Sequence, residues 1–188
     1  MDDTSTSTPT PTPTSTSTGE RRDLLEALAA HRGFLLRTAD GLSDEQARTR
    51  STVSTLTIGG IIKHVAATEA WWSEFMVSGA QGGGDPEVDW SDPPPEVVEA
   101  YEAGFRLLDD ETLEGSLAEY ARVAAHTDEL VATLDLDRSF LLPPAPWFPP
   151  GAQRSVRRTI VHIIAETAQH AGHADIIREA IDGARTMG

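Results

Sequence analysis

Residues 155–183 read SVRRTIVHIIAETAQHAGHADIIREAIDG. Val156, Ile160, Ile163, Ile164, Thr167, Ala171 and Ile177 recur at steps of three and four, the spacing of one face of an α-helix. A helix is expected from Ser155 to Ile181, with Gly183 as its C-terminal cap. The same segment carries His162, Glu166, His170 and His173. At about 100° per residue these four fall at roughly 0°, 40°, 80° and 20° around the axis, one stripe beside the aliphatic face. A polar stripe bordering a core is costly unless its groups are paired or bind something. Imidazole and carboxylate are also good ligands for first-row divalent ions, and i, i+4 spacing lets two of them reach one ion.

Working outward, three more runs have helical periodicity. From about Glu20 to Gly41, Leu24, Leu25, Leu28, Leu35 and Leu36 lie near one stripe, and Gly41 suits a stop. Ser43 followed by DEQA, with Gln46 three residues on, reads as a capped turn. From Thr57 to Gly79, Ile58, Ile61, Ile62, Val65, Ala66, Trp72 and Phe75 form a buried face. From Thr112 to Leu134, Leu113, Leu117, Tyr120, Val123, Ala124, Leu130 and Leu134 do the same. Between the second and third runs lie some 30 residues, including GGG at 82–84 and DPEVDWSDPPP, which cannot be helical. EVVEAYEAGFRLL reads as a short helix or a long lid-like connection. LLPPAPWFPPG at 141–151 is irregular, and only residues 138–142 hint at a strand. Four long amphipathic helices predict an all-α four-helix bundle, and the long connection between the second and third permits a crossover.

The chain has 188 residues, enough for one domain with a full core. Residues 1–19 are Ser, Thr, Pro, Asp and Gly after Met1, a composition that cannot offset the entropy of ordering its backbone. They are expected to form a disordered tail before a bundle spanning 20–188. The tail lacks the apolar and basic parts of a secretory signal, so a cytoplasmic location is expected. There is no cysteine, which excludes disulfides, thiolate metal sites and a cysteine nucleophile. With 15 Lys and Arg against 30 Asp and Glu, the net charge of −15 argues against a nucleic-acid partner. No apolar stretch is long enough to span a membrane.

Two ligands on one helix do not make a site. His64, set between Ile61, Ile62 and Val65, is the best third donor. His31 and His126 have polar neighbours and are expected to be solvated. Spacing alone leaves the choice among His162, Glu166, His170 and His173 open, and it leaves open a metal-free hydrogen-bonded network.

The segments TIGGIIKHVAATEAWW and VRRTIVHIIAETAQHAGHADIIREAIDG resemble the DinB-like superfamily, above all through ETAQHAGHADIIREAIDG; with Trp90 in the acidic loop the resemblance covers about residues 20–183. It implies a bundle with a long second-to-third connection, often dimeric, and a divalent ion, zinc or nickel in several members. The ion is held by a histidine of the second helix, matched by His64, and by two residues four apart on the last, matched by Glu166 and His170. Many relatives carry His-x-x-x-His there. Glu-x-x-x-His is similar to the mycothiol-dependent maleylpyruvate isomerases. His173 then becomes a supporting residue, and His162 a substitute ligand only if Glu166 turns away.

Two imidazoles and one carboxylate leave coordination positions open, as in catalytic sites. The resemblance implies a metal-dependent enzyme acting on a small-molecule substrate with a low-molecular-weight thiol, mycothiol above all, as an S-transferase or isomerase. No general base can be assigned; Tyr120, Asp175 and Arg178 are candidates for substrate contacts or for structural pairing. The rival reading is a non-catalytic, metal-stabilised bundle that dimerises or binds a small ligand in a stress response.

Overall fold

The computed structural model describes residues 16–81 and 92–186 of the chain. Its long helices follow the four periodic runs: α1 (Thr16–Arg37), α3 (Ile58–Ser78), α5 (Leu113–Thr133) and α6 (Val156–Asp182). The capped turn after Ser43 is α2 (Asp44–Arg48), with both hydrogen bonds of the capping box in place. EVVEAYEA forms the short helix α4 (Pro95–Ala103), which buries no residue. The strand hint at 138–142 is β1 (Ser139–Leu141), paired antiparallel with β2 (Gln153–Ser155) so that Phe140 lies opposite Arg154.

The first helix starts at Thr16 rather than near Glu20. Extending an existing helix by a turn costs far less than nucleating one, which carries the helix into a run of modest helix formers. Residues 1–15 of the expected tail, and Trp90, lie outside the described residues.

Helix ends obey local chemistry. Thr57, Thr112 and Ser155 each cap a long helix by accepting a hydrogen bond from the amide three residues on. Gly183 closes α6 in the left-handed region, with φ of 80°.

Polar cross-links between helices fix their directions. Lys63 on α3 donates to Glu111 at the head of α5 at 2.6 and 2.7 Å, and Ser73 meets Thr127 at 2.8 Å further along both. These neighbours therefore run parallel, and the long 79–112 connection is the return that parallel neighbours require. α1 and α6 are parallel too: Arg157 pairs with Glu20 at one end, and Arg178 donates to the carbonyls of Thr38 and Asp40 at the other. Each member of one pair packs on a member of the other, α3 on α6 and α1 on α5. Among the described residues, no helix is long and apolar enough to cross a membrane.

The apolar core falls into two clusters. One holds Leu35, Ile58, Ile61, Ile62, Val65, Tyr120, Ala171 and Ile177; the other holds Leu28, Trp72, Phe75, Met76, Val131, Ile160 and Ile163. Between them lie buried polar residues: Arg32, Glu69, Ser73, Thr127 and Thr167. Arg32 on α1 reaches across the bundle to both carboxylate oxygens of Glu69 on α3, and donates to Asp128 of α5 at 2.8 Å. Burial works against the charge of Arg32, yet Glu69 and Asp128 outweigh it and hold its pKa above the ordinary value. Leu36, read as lying near the apolar stripe, is instead at the surface, because the inward position on that turn of α1 belongs to Leu35.

At the head of α3, Gly59 and Gly60 let the 104–107 segment lie against the helix. A Cβ on Gly60 would stand 2.0 Å from the carbonyl oxygen of Phe105. This close approach brings the Phe105 ring onto His64, stacked with centroids 3.9 Å apart.

Removing one partner of a buried pair strands the other's charge. Arg32→Met and Glu69→Leu should therefore each cost about 3–5 kcal/mol in urea unfolding, while the double variant recovers most of the loss. A double variant as unstable as the sum of the singles would contradict that account. Gly60→Ala forces backbone apart and should cost about 1–3 kcal/mol by the same measurement. It should also shift the His64 ring-proton resonances as the Phe105 ring current is lost.

Candidate metal centre

α6 lies antiparallel on α3 because the aliphatic faces of both are directed into one core. This brings the polar stripe of α6 to the edge of α3 that carries His64. One ligand atom each from His64, Glu166 and His170 lies within 4.8 Å of the others. The rings of His64 and His170 meet edge to face at 5.0 Å. Glu166 stands between two histidines of its own helix, with Oε1 3.7 Å from His162 Nε2 and Oε2 3.6 Å from His170 Nε2.

The donor set fits a divalent ion. Bonds of about 2.0–2.2 Å hold neighbouring donors about 3–4 Å apart, so the Glu166–His170 spacing already matches and His64 needs only a small side-chain adjustment. The His170 ring has no hydrogen-bond partner among the described residues: Nδ1 is buried and unpartnered, and Nε2 is beyond hydrogen-bond reach of Glu166. His64 Nε2 has only Thr68 Oγ1, at 3.5 Å. Buried imidazole nitrogens without protein partners call for something else to satisfy them.

The protonation states agree with this. Burial, and then the neighbouring His170, lower the pKa of His64 to about 4. Burial and then His173 lower that of His170. His162, packed edge-on against Trp72 at 4.8 Å, is lowered to about 4 by burial and then by Arg154 and Arg158. Near pH 7 these rings are neutral and keep the lone pair that a ligand needs.

The other candidates divide. His173 touches His170 ring to ring at 5.6 Å, and its Nδ1 is buried without a partner. His126 is exposed, and His31 is half-buried against Phe34; neither joins the triad. Tyr120 is 1% exposed within the core, its pKa raised by burial and then by Glu69. Arg178 pairs with Asp182, not Asp175, and Asp175 accepts from the amide of Thr186; both tie down the end of α6. Phe105 beneath His64 and Trp72 beneath His162 complete the site, and helical periodicity marks neither as part of it. The paired glycines at 59–60 were the available signal for a close backbone approach there. An open cleft of about 430 Å³ beside Lys63, Glu111 and Ser116 contains none of the triad.

Unfolded, the imidazoles protonate below about pH 6.5; folded, His64 and His162 do so only near 4. Their contribution to the stability of the metal-free protein is present above pH 6.5 and is lost as pH falls from 6.5 towards 4. Urea midpoints should therefore drop across that window and should respond less steeply in a His64→Gln/His162→Gln variant. An unchanged slope in that variant would assign the effect to other groups.

A family model described as mycothiol-S-transferase matches residues 23–183. No curated protein matches the chain. Among solved structures, one described as the crystal structure of the conserved protein of locus from Enterococcus faecalis is similar, with a TM-score of 0.61 at 14% identity. The match covers 87% of this chain and 97% of that one, and it shows a shared fold. With a family model spanning the whole bundle and an all-α fold of the expected kind, the chain belongs to the mycothiol-S-transferase family of DinB-like proteins.

Proposed function

We propose that this protein is a divalent-metal-dependent enzyme that joins the sulfur of mycothiol to an electrophilic small molecule, with His64, Glu166 and His170 holding the ion. The observation that supports the reading is the convergence of three metal-type donors, from two helices, in a member of this family. Zinc or nickel suits two imidazoles and a carboxylate. Such an ion, when bound, favours the thiolate form of a thiol at neutral pH.

The chain's own residues prepare that chemistry. His64 and His170 are neutral before any ion arrives, so no proton must be displaced from them. Phe105 covers one face of His64 and keeps water from it. Glu166, flanked by His162 and His170, adds the one negative charge of the donor set and lowers the net charge of a bound dication. In the transfer, a carbon–sulfur bond forms as the electrophile's leaving group departs, and the thiol proton passes to solvent. A cytoplasmic homodimer belongs to the same reading; Val161 and Ile176 give the outer face of α6 apolar surface for a second copy.

Metal analysis of the purified protein should find about one zinc or nickel ion per chain, as expected for a single three-ligand site. His64→Ala, Glu166→Ala and His170→Ala should each lose it. With mycothiol and a panel of electrophiles, thiol consumption should fall at least about a hundredfold in those variants, since loss of a mere outer-shell partner of a metal ligand already costs about 10–100-fold. A wild-type chain that binds metal but consumes no thiol across the panel would instead be a binding protein.

A further inference from the structure

The stripe on α6 does not stop at the triad. Arg158, His162, Glu166 and His170 follow one another at four-residue steps, so Arg158 and Glu166 stand about 12 Å apart along the axis. Beside this row, β2 places Arg154 with its guanidinium over the ring of Trp72 at 4.4 Å and 5.6 Å from the ring of Phe148. Trp72 in turn packs against His162, which neighbours Glu166.

Arg154 differs from the arginines around it. Arg157 is held by Glu20 and Asp137, and Arg178 by Asp182 and two carbonyls. Arg154 has no ion-pair partner among the described residues, and its Nη1 is buried without an acceptor. Burial, and then Arg158, weaken its hold on the proton, yet an arginine stays charged at any physiological pH. In a chain of net charge −15, leaving a half-buried guanidinium next to another arginine rather than a carboxylate is a costly arrangement. An acceptor supplied by a ligand would remove that cost. The aromatic faces of Trp72 and Phe148 would hold the guanidinium fork in place meanwhile.

We propose that Arg154, supported by Trp72 and Phe148 and flanked by Arg158 and His162, is a specificity-determining subsite for a carboxylate on the electrophilic substrate. This rests on the S-transfer reading for its placement beside the triad, but not for the anion binding itself. The substrate class is an electrophile whose carboxylate stands one to two helix turns from the reacting carbon, with a flat or apolar frame between them. His162, midway along the row and packed on Trp72, offers a further ring nitrogen for a hydrogen bond.

The test uses the full chain, metal-free and zinc-loaded, titrated calorimetrically with 4-methylbenzoate and with 4-methylbenzamide, which share a frame and differ in charge. The carboxylate should bind about tenfold or more tightly than the amide in both forms, the scale of one charge-assisted hydrogen bond. That preference should shrink with added salt, disappear in R154Q and survive in part in R154K. Equal binding of the two compounds by the wild-type chain overturns the proposal, as does a preference that a folded R154Q retains. If R154Q does not fold, the wild-type comparison and its salt dependence decide alone. A second arm adds mycothiol with 4-(chloromethyl)benzoate or its amide; sulfur displaces chloride and the thiol proton goes to solvent. Higher kcat/KM for the acid, lost in R154Q, supports both readings. Carboxylate binding without turnover of either compound removes the S-transfer reading and leaves the anion subsite standing.

Discussion

A guanidinium buried in the middle of a helix bundle cannot be left unpaired, and that constraint organises the fold. Arg32 enters from α1 and is met by Glu69 from α3 and Asp128 from α5. Each apolar cluster lies on one side of this polar layer. A slide of one helix by a turn would bury the charges among leucines and isoleucines at a cost of several kcal/mol. The layer therefore sets the register of three helices at once. Thr167, on the fourth, lies in the same buried layer, one residue after Glu166.

The triad depends on that register. His64 precedes Glu69 by five residues on α3, and Glu166 precedes Thr167 by one on α6. Fixing Glu69 and Thr167 at one level of the bundle fixes how far His64 stands from Glu166 and His170. The flanking pieces then act on the site from outside the two helices. Gly60 admits the Phe105 backbone and so its ring over His64. The β-ribbon sets Arg154 against Trp72. Both make the site drier and more polarised than an exposed helix face would be, which keeps the imidazoles neutral.

The four helices, the capping box at Ser43, the Gly183 stop and the polar stripe on α6 were legible because they are local. Periodicity, capping chemistry and i, i+4 spacing act over a few residues and need no knowledge of the rest of the chain. Geometry alone could not rank His162, Glu166, His170 and His173, since all four share the stripe. The family pattern separated them, and the chain places Glu166 and His170 beside His64 and leaves His162 against Trp72.

What the sequence determined by itself was therefore the set of helices and the row of donors on the last one. The tertiary structure decided what faces them. Arg32 reads as a polar residue of a helix surface until Glu69, 37 positions away, neutralises it in the core. Arg154 follows the irregular proline-rich stretch 141–151, and only the fold of the ribbon onto α3 reveals it as a cation without an ion-pair partner among the described residues. Charge pairing and burial depend on distances between remote parts of the chain, and local patterning carries no record of those distances.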